Sequence, residues 1–172
     1  MKNFWILLTA VSLFALSGCS REVEAAKSVC QQYLRAFQKE DFETMWDLLS
    51  KGQKEKMASQ LAILKAQKGK KIALRGLIQL DSPKIQSWTE KDYYIAIVKR
   101  LHQLLKEKKG SGRVFDLLHA MVEKGELKGK RVIVTLFDGA HRRKLLMINE
   151  KINDQEVWRV DEEYVFLGEE EK

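Results

Sequence analysis

The first pattern along the chain is an abrupt change from an apolar run to an amphipathic one. Residues 4–16 are almost continuously apolar, whereas from residue 22 onward apolar residues recur every three or four positions. That spacing is typical of a helix with one buried face. The members of this apolar stripe are Val23, Ala26, Val29, Cys30, Tyr33, Leu34 and Phe37. The sequence therefore predicts a domain that begins with a helix almost directly after the apolar run.

Three more segments carry the signals of helices. Asp41 is a good N-cap for a short helix with apolar residues between positions 42 and 49. The lysine-rich segment from Lys51 to Lys71 favours a helix and has apolar residues at helical spacing. Thr89, followed three residues later by an acid, has the pattern of a capping box, which predicts a helix through about Lys108.

The helix that starts after Thr89 is predicted to be both amphipathic and basic. Its expected core face consists of Tyr94, Ile97, Val98, Leu101, Leu104 and Leu105. The opposite side carries Lys99, Arg100, Lys106 and Lys109. These four cations form a candidate basic face.

The C-terminal part of the chain changes from helical spacing to alternation, which is typical of strands. Residues 131–137, 144–152 and 157–166 are predicted to form an antiparallel meander of three strands, with turns at residues 138–141 and 153–154. Two other segments stay open at this level. Residues 72–80 fit either a strand or a short helix, and residues 113–126 fit no single pattern.

Helices first and strands last predict an α+β fold, in which N-terminal helices pack on a C-terminal antiparallel sheet and the basic helix is an extra element in the middle. In the last strand, Trp158 and Val160 are predicted to share one face, with Arg159 and Asp161 on the other. The 172 residues suffice for one domain with a hydrophobic core. The predicted organisation is a signal peptide over 1–18, a lipidated N-terminus and short tether over 19–21, one domain over 22–167 and an acidic tail over 168–172.

The apolar run has the features of an export signal: a basic start at Lys2, a hydrophobic centre and small residues before Cys19. Its thirteen residues reach about 20 Å as a helix, short of the roughly 30 Å of a bilayer core. The stretch Leu16-Ser17-Gly18-Cys19 resembles the bacterial lipobox, which implies cleavage after Gly18 and lipidation of Cys19. The alternative is ordinary secretory cleavage beside an incidental cysteine.

The lipobox resemblance also implies a location. Acyl chains on Cys19 would hold the protein firmly to a bilayer. Ser20 stands where an aspartate would resemble an inner-membrane retention signal, so in a Gram-negative host the resemblance implies the outer membrane, with the domain facing the periplasm. In a Gram-positive host it implies the outer face of the cytoplasmic membrane.

The second cysteine, Cys30, lies on the apolar stripe of the first helix. A lone thiol at such a position is typically a small buried hydrophobe, with intermolecular pairing as the alternative. Two cysteines are too few for a disulfide framework.

A family resemblance rests on the ends of the domain. The second helix opens with Asp41-Phe42-Glu43 and closes with Leu48-Leu49, and the last strand reads Trp158-Arg159-Val160-Asp161. Together with the helical hairpin and meander, these residues resemble the cone-shaped fold of the nuclear-transport-factor-2-like superfamily, over residues 22–55 and 128–163. Bacterial lipoproteins of unassigned function occur in that superfamily. The long basic helix over residues 89–109 departs from its pattern.

Enzymes of that superfamily resemble ketosteroid isomerases or small dehydratases, which place a carboxylate base or an Asp/His pair in an apolar pocket. No motif in this chain allows such residues to be carried over. His102, His119 and His141 lack the spacing of a metal site, and they are expected to be structural histidines at the surface or half-buried. No nucleophile elbow or phosphate-binding loop is present in the sequence. The sequence therefore predicts a protein that is not an enzyme and has no cofactor or metal.

The charge distribution is polarised as well as net basic, at +7. Residues 51–113 contain 16 Lys and Arg against 5 Asp and Glu, whereas residues 145–172 contain 3 against 9. A basic face could meet anionic headgroups, or its lysines could simply solubilise the helices. Nucleic acid is not an expected partner of an exported, lipid-anchored protein without an aromatic-basic motif.

Two functional hypotheses follow from the sequence. The first is a lipoprotein that binds an envelope protein or an apolar small molecule without chemistry, in a pocket between the first helix and the sheet. The candidate pocket residues are Tyr33, Phe37, Trp46, Phe137 and Trp158, which are equally suited to a plain core. The second is a structural envelope protein that docks the candidate basic face on anionic lipid.

Overall fold

The computed structural model describes residues 2–66, 72–74, 78–80, 85–107 and 115–162. The helices are α1 (Lys2–Gln38), α2 (Phe42–Asp47), α3 (Lys51–Ala66) and α4 (Glu90–Glu107). The strands are β1 (Ile72–Leu74), β2 (Ile78–Leu80), β3 (Met121–Lys128), β4 (Arg131–Phe137), β5 (Arg142–Ile152) and β6 (Gln155–Glu162). The four helices expected from the sequence are confirmed, and so is their order.

Strands β3 to β6 form one antiparallel sheet in which each strand pairs with the next along the chain. Alternate residues of the two central strands are fully buried, as expected for a sheet with one face on the core. They are Val132, Val134 and Leu136 in β4 and Leu145 and Met147 in β5. Helix α1 packs on this sheet, which confirms the predicted α+β class with N-terminal helices on a C-terminal antiparallel sheet.

Helix α1 runs antiparallel to β3 and approaches it closely. At one end the Gln38 side-chain amide donates to the Ala120 carbonyl at 3.2 Å. At the other end a Cβ on Gly125 would lie 2.8 Å from Val23 Cγ1 and 3.2 Å from Lys27 Cγ. The absence of a side chain on Gly125 therefore allows the helix to lie against the strand.

Local hydrogen bonds explain where the shorter helices begin. The Asp41 carboxylate accepts from the Thr44 backbone N–H at 3.1 Å and caps α2, as predicted. Thr89 and Asp92 form the predicted reciprocal capping box, since each backbone N–H donates to the other residue's side chain. A small cluster of Leu61, Ile85 and Tyr93 then joins α3 to α4.

The link between α2 and α3 covers the outer edge of β6. The Ser50 N–H donates to the Val160 carbonyl at 2.7 Å, and the Val160 N–H donates to the Leu48 carbonyl at 3.0 Å. Ser50 Oγ donates to Asp161 and accepts from the Gln53 N–H, so it also caps α3. These contacts fix the N-terminal end of α3 against the sheet.

The three strands predicted for the meander are confirmed, but the sheet has a fourth strand, β3, which begins within the segment that fitted no pattern. Its register shifts between Val122 and Lys124, so a bulge breaks the two-residue alternation. It is also an edge strand with few apolar residues, of which Val122 and Leu127 pack on the core. An irregular edge strand of this kind gives almost no periodic signal.

The structure settles other open points. Residues 72–74 and 78–80 pair as two short antiparallel strands, so the strand alternative was correct there. Trp158 and Val160 are buried while Arg159 and Asp161 are half-buried, as predicted for alternating faces. The end of the predicted last strand, residues 163–166, and the acidic tail lie outside the described residues.

The core face predicted for α4 is confirmed for five of its six residues. Tyr94 and Val98 are buried, and Ile97, Leu101 and Leu105 are half-buried and pack on the buried clusters. The structure adds Tyr93 and His102 to the buried set.

Helix α1 continues without a break from Lys2 through Cys19 into the part that packs on the sheet. Its first fully buried side chain in the described set is Ala26. Within the part of the chain that the structure describes, no helix is long and apolar enough to cross a membrane.

Candidate functional site: a basic groove between α3 and the β5–β6 hairpin

A groove of about 550 Å³ lies where the N-terminal end of α3 meets the β5–β6 hairpin. Its lining residues are Leu49, Lys51, Lys54, Glu150, Lys151, Ile152 and Arg159. Four of these are cationic, one is acidic and two are aliphatic. The groove therefore combines positive charge with a small apolar surface.

Lys54 and Arg159 are the two cations of the groove that form no ion pair within the described part of the chain. Burial, followed by the nearby Arg159 charge, lowers the pKa of Lys54 below its usual value, against the opposing effect of the Asp47 and Glu150 carboxylates. The Lys54 ammonium also lies 5.4 Å from the centre of the Trp46 ring. Two cations are thus held near each other on a half-buried surface, with carboxylates nearby but not in direct contact.

The single carboxylate of the groove is already engaged. Glu150 accepts a hydrogen bond from the Lys51 backbone N–H at 2.9 Å, at the positive end of α3. The side chain of Lys51 pairs with Glu55 at 3.8 Å and that of Lys151 pairs with Asp154 at 3.0 Å. These two lysines are partly neutralised from outside the groove, so Lys54 and Arg159 are its cations without an ion pair among the described residues.

This arrangement suits an anion that carries a short apolar part. Charge-assisted hydrogen bonds from an ammonium and a guanidinium are the strong contacts that proteins use for carboxylate and phosphate groups. Ile152, which is 38% exposed, offers apolar contact beside them, whereas Leu49 is almost fully buried at the base of the groove. The groove has the chemistry of a binding site, and its residues form no nucleophile–base pair.

Four of the five candidate pocket residues lie in the main core rather than around the groove. Tyr33 and Phe37 are almost fully buried, and Trp46 and Trp158 are buried too. Tyr33 Oη and Tyr94 Oη lie 2.9 Å apart, and the Trp46 and Tyr94 rings are 5.6 Å apart between centroids. These four residues are brought together, and the core packing that they form was the stated alternative to a pocket.

The fifth candidate, Phe137, lies on the other face of the sheet. It follows the buried Leu136 in β4, so its side chain points away from α1. Arg142 stacks over its ring at 4.7 Å. Phe137 therefore does not share a surface with Trp158.

The candidate basic face on α4 is partly neutralised. Arg100 lies 3.7 Å from Glu107, and Lys106 hydrogen-bonds Glu40. Lys99 is exposed, and Lys109 lies outside the described residues. Two of the three described cations are therefore paired with a carboxylate.

His102 corrects the expectation that all histidines are at the surface or half-buried. It is only 2% exposed and lies between the rings of Phe37 and Phe42, at centroid distances of 5.1 and 5.8 Å. Among the described residues, its Nε2 atom has no hydrogen-bond partner. Its Nδ1 atom is 3.9 Å from Glu40, which Lys106 also contacts. Burial lowers the pKa of His102 below its ordinary value of 6.5, against the opposing effect of Glu40.

We expect His102 to make the fold sensitive to mild acid. Because the pKa of His102 is lower in the folded chain, the unfolded chain takes up the proton first. The contribution of neutral His102 to the free energy of unfolding is therefore complete above pH 6.5 and is lost as the pH falls below that value. The urea midpoint of the wild type should therefore drop between pH 7 and pH 5 by more than that of His102→Leu. His119→Gln is the matched control, since His119 is exposed and pairs with Asp116. Equal acid sensitivity in the wild type and His102→Leu would contradict this role.

The other candidate residues lie in the core or close to a carboxylate. Cys30 is fully buried, as predicted, and burial raises the pKa of its thiol to about 12. His141 lies 3.4 Å from Asp138. Among the described side chains, no group of three His, Cys, Asp or Glu residues is placed to hold a metal ion. The prediction of lipidation at Cys19 with cleavage after Gly18 stays a prediction.

Sequence reasoning did not find the groove. Lys54 and Arg159 belong to a helix and a strand that are far apart in the chain, and each looks like an ordinary solvent-facing cation. The one local signal is the pair of lysines at positions 51 and 54, three residues apart at the start of α3. That signal does not reveal the hairpin that completes the site.

Comparisons with protein-family models, curated proteins and solved structures found no match for this chain. The classification that the structure supports is architectural. It is an α+β domain with N-terminal helices packed on a four-stranded antiparallel open sheet.

Proposed function

We propose that the protein is a lipid-anchored, periplasm-facing lipoprotein whose basic groove binds a small anionic amphiphile without chemical conversion. The observation that carries the binding proposal is the pair of neighbouring cations, Lys54 and Arg159, which form no ion pair among the described residues and line the groove beside the exposed side chain of Ile152. The lipobox-like stretch that ends at Cys19 supports the anchor.

The position of Cys19 on α1 is compatible with cleavage and lipidation. Val23 and Lys27, which contact β3 at Gly125, both follow Cys19, so removal of residues 1–18 would leave these contacts in place. Val23 is the fourth residue after Cys19, a rise of about 6 Å in a helix. The lipid anchor would therefore hold the domain directly at the membrane surface.

The proposed ligand carries a carboxylate or phosphate group on a short apolar body. A bound anion would favour the charged form of Lys54 and so oppose the effect of burial, which is the main cause of its lowered pKa. The groove is open to solvent, so part of the ligand would stay exposed, which suits capture and release rather than burial. An envelope protein with an acidic group would compete for the same contacts.

Titration calorimetry tests the groove directly. Hexyl phosphate should bind to the full chain in detergent, and hexanol should not. Lys54→Glu and Arg159→Glu should each weaken binding about tenfold or more, because each reverses one of the two unpaired charges. Binding should also weaken as the salt concentration rises.

Lys99→Glu is the matched control for this titration. Lys99 is an exposed lysine on α4 outside the groove, so its reversal changes the net charge equally while leaving the site intact. If Lys99→Glu weakened binding as much as Lys54→Glu, the affinity would come from overall charge. Absence of hexyl phosphate binding to the wild type would also contradict the proposal.

The resemblance to the nuclear-transport-factor-2-like superfamily is part of the proposal. The helical pair α1–α2, packed on an antiparallel meander whose last strand carries Trp158 and Val160, supports it. An experimental structure would test it through the curvature of the sheet. A sheet whose face toward α1 is flat rather than concave would argue against a cone.

A further inference from the structure

The direction of α1 determines which end of the sheet lies nearest to the anchor. Val23 contacts β3 at Gly125, whereas Gln38 contacts Ala120. Residues before Val23 therefore extend in the direction in which β3 runs from Gly125 to its end at Lys128. The β3–β4 turn lies at the Cys19 end of the domain, and the opposite end of α1 is about 28 Å away.

The β3–β4 turn carries three exposed cationic side chains. Lys128 and Arg131 face each other in the strand ladder across a two-residue turn. Gly129 occupies the first turn position with a φ of 63°, and tight hairpin turns need such a positive φ there. Lys128, Lys130 and Arg131 are all exposed. None of the three forms an ion pair with another described residue.

The surroundings of the turn do not cancel this charge. Lys124 and Glu126, just before it on β3, pair with each other at 2.7 Å. On α1, Lys27 pairs with Glu24 at 2.9 Å. The neighbouring ion pairs are thus internally balanced, and the three cations of the turn form no ion pair with another described residue, although Glu126 is near enough to Lys128 to feel its charge.

The candidate basic face of α4 has a different position. Lys106 contacts Glu40, which follows the C-terminal end of α1. That contact is at the far end of the helix from Cys19. In a domain held through Cys19, the β3–β4 turn therefore lies closer to the bilayer than this basic face of α4 does.

We infer that the β3–β4 turn, through Lys128, Lys130 and Arg131, binds anionic phospholipid headgroups of the membrane that carries the anchor and so fixes the orientation of the domain. Basic residues next to a membrane anchor are attracted to an anionic leaflet over roughly one Debye length, about 10 Å. The turn lies at the same end of the domain as Cys19. This inference rests on the proposed lipid anchor, and it replaces α4 by the turn as the surface that faces lipid.

Lysine acetylation in vesicles tests the inference with the lipidated full chain. The protein is reconstituted into vesicles of phosphatidylcholine, with or without phosphatidylglycerol, and acetylation rates are read by mass spectrometry. Lys128 and Lys130 should react about fivefold more slowly in the anionic vesicles, and added salt should restore their rates. Lys99, an exposed lysine on α4, is the internal control and should react equally in both vesicles.

The outcomes separate this inference from the anchor proposal. The mass of the N-terminal peptide reports the acyl chains before any rate is measured, so loss of the anchor is seen independently. Equal rates for Lys128 and Lys130 in the two vesicle types would overturn the inference. Slower acetylation of Lys99 in place of the turn lysines would also overturn it and would assign the lipid-facing surface to α4.

Discussion

Replacing Cys19 by alanine is expected to abolish labelling of the protein with palmitate and to release it from membranes. The physical reason is that the acyl chains supply the membrane affinity, at about 0.8 kcal/mol for each buried methylene. The apolar run of residues 4–16 is too short as a helix to replace them as a permanent span. Palmitate incorporation and carbonate-washed membrane fractions measure the two effects.

Cys30→Ala is the matched control for this experiment. Cys30 is the other cysteine of the chain and is fully buried in the core, so its loss should leave both labelling and fractionation unchanged. The Cys19→Ala domain should keep its fold, because the described buried face of α1 begins after Cys19, with Ala26 as its first fully buried side chain. A Cys19→Ala chain that still incorporates palmitate or remains with membranes would contradict the lipid anchor.

Replacing Phe37 by alanine is expected to lower the free energy of unfolding by about 3–5 kcal/mol. Phe37 is fully buried and lies edge-on to the rings of Phe42 and His102, so its loss would leave a cavity where α1, α2 and α4 meet. Since domains of this size are typically stable by about 5–15 kcal/mol, the effect is a large part of the total. Urea unfolding followed by tryptophan fluorescence measures it.

Phe137→Ala is the matched control for Phe37→Ala. Phe137 is half-buried on the opposite face of the sheet and stacks under Arg142, so its removal should cost about 1 kcal/mol. The comparison distinguishes a pocket from a plain core, which are the two interpretations that the sequence allows for the five candidate aromatic residues. If Phe37 lined an open pocket rather than the core, the two substitutions would cost about the same.

The helices could be predicted because their signals are local. The cap of α2 joins Asp41 to Thr44, and the capping box of α4 joins Thr89 to Asp92, in each case within three residues. The buried stripe of α1 repeats over several turns, so its period is clear. The same reasoning identified the faces of β6, where Trp158 and Val160 alternate with polar residues.

The features that were missed depend on distant partners or on irregular backbone. The bulge of β3 between Val122 and Lys124 breaks the alternation by which a strand is recognised. His102 is buried because Phe37 and Phe42, from a different part of the chain, pack on both sides of it. A histidine at that position of an amphipathic helix gives no sign of such burial.

The groove could not be predicted for the same reason. Its two cations without an ion pair among the described residues come from α3 and β6, and contacts between residues far apart in the chain, such as that of Ser50 with Val160, bring these elements together. The charge imbalance of residues 51–113 did point to a basic surface. Ion pairs of Arg100 and Lys106 reduce that surface on α4, and of the groove cations only Lys51 and Lys54 belong to this segment.

Native mass spectrometry of the protein extracted from the membranes of its own host tests the proposed function most directly. We expect a chain that begins at Cys19, carries acyl groups and holds one small anionic molecule, and we expect that molecule to be lost from the Lys54→Glu, Arg159→Glu double variant. A chain that keeps residues 1–18 without acyl groups would contradict the anchor. An acylated chain without a bound molecule, or one whose ligand survives in the double variant, would contradict the groove as its binding site.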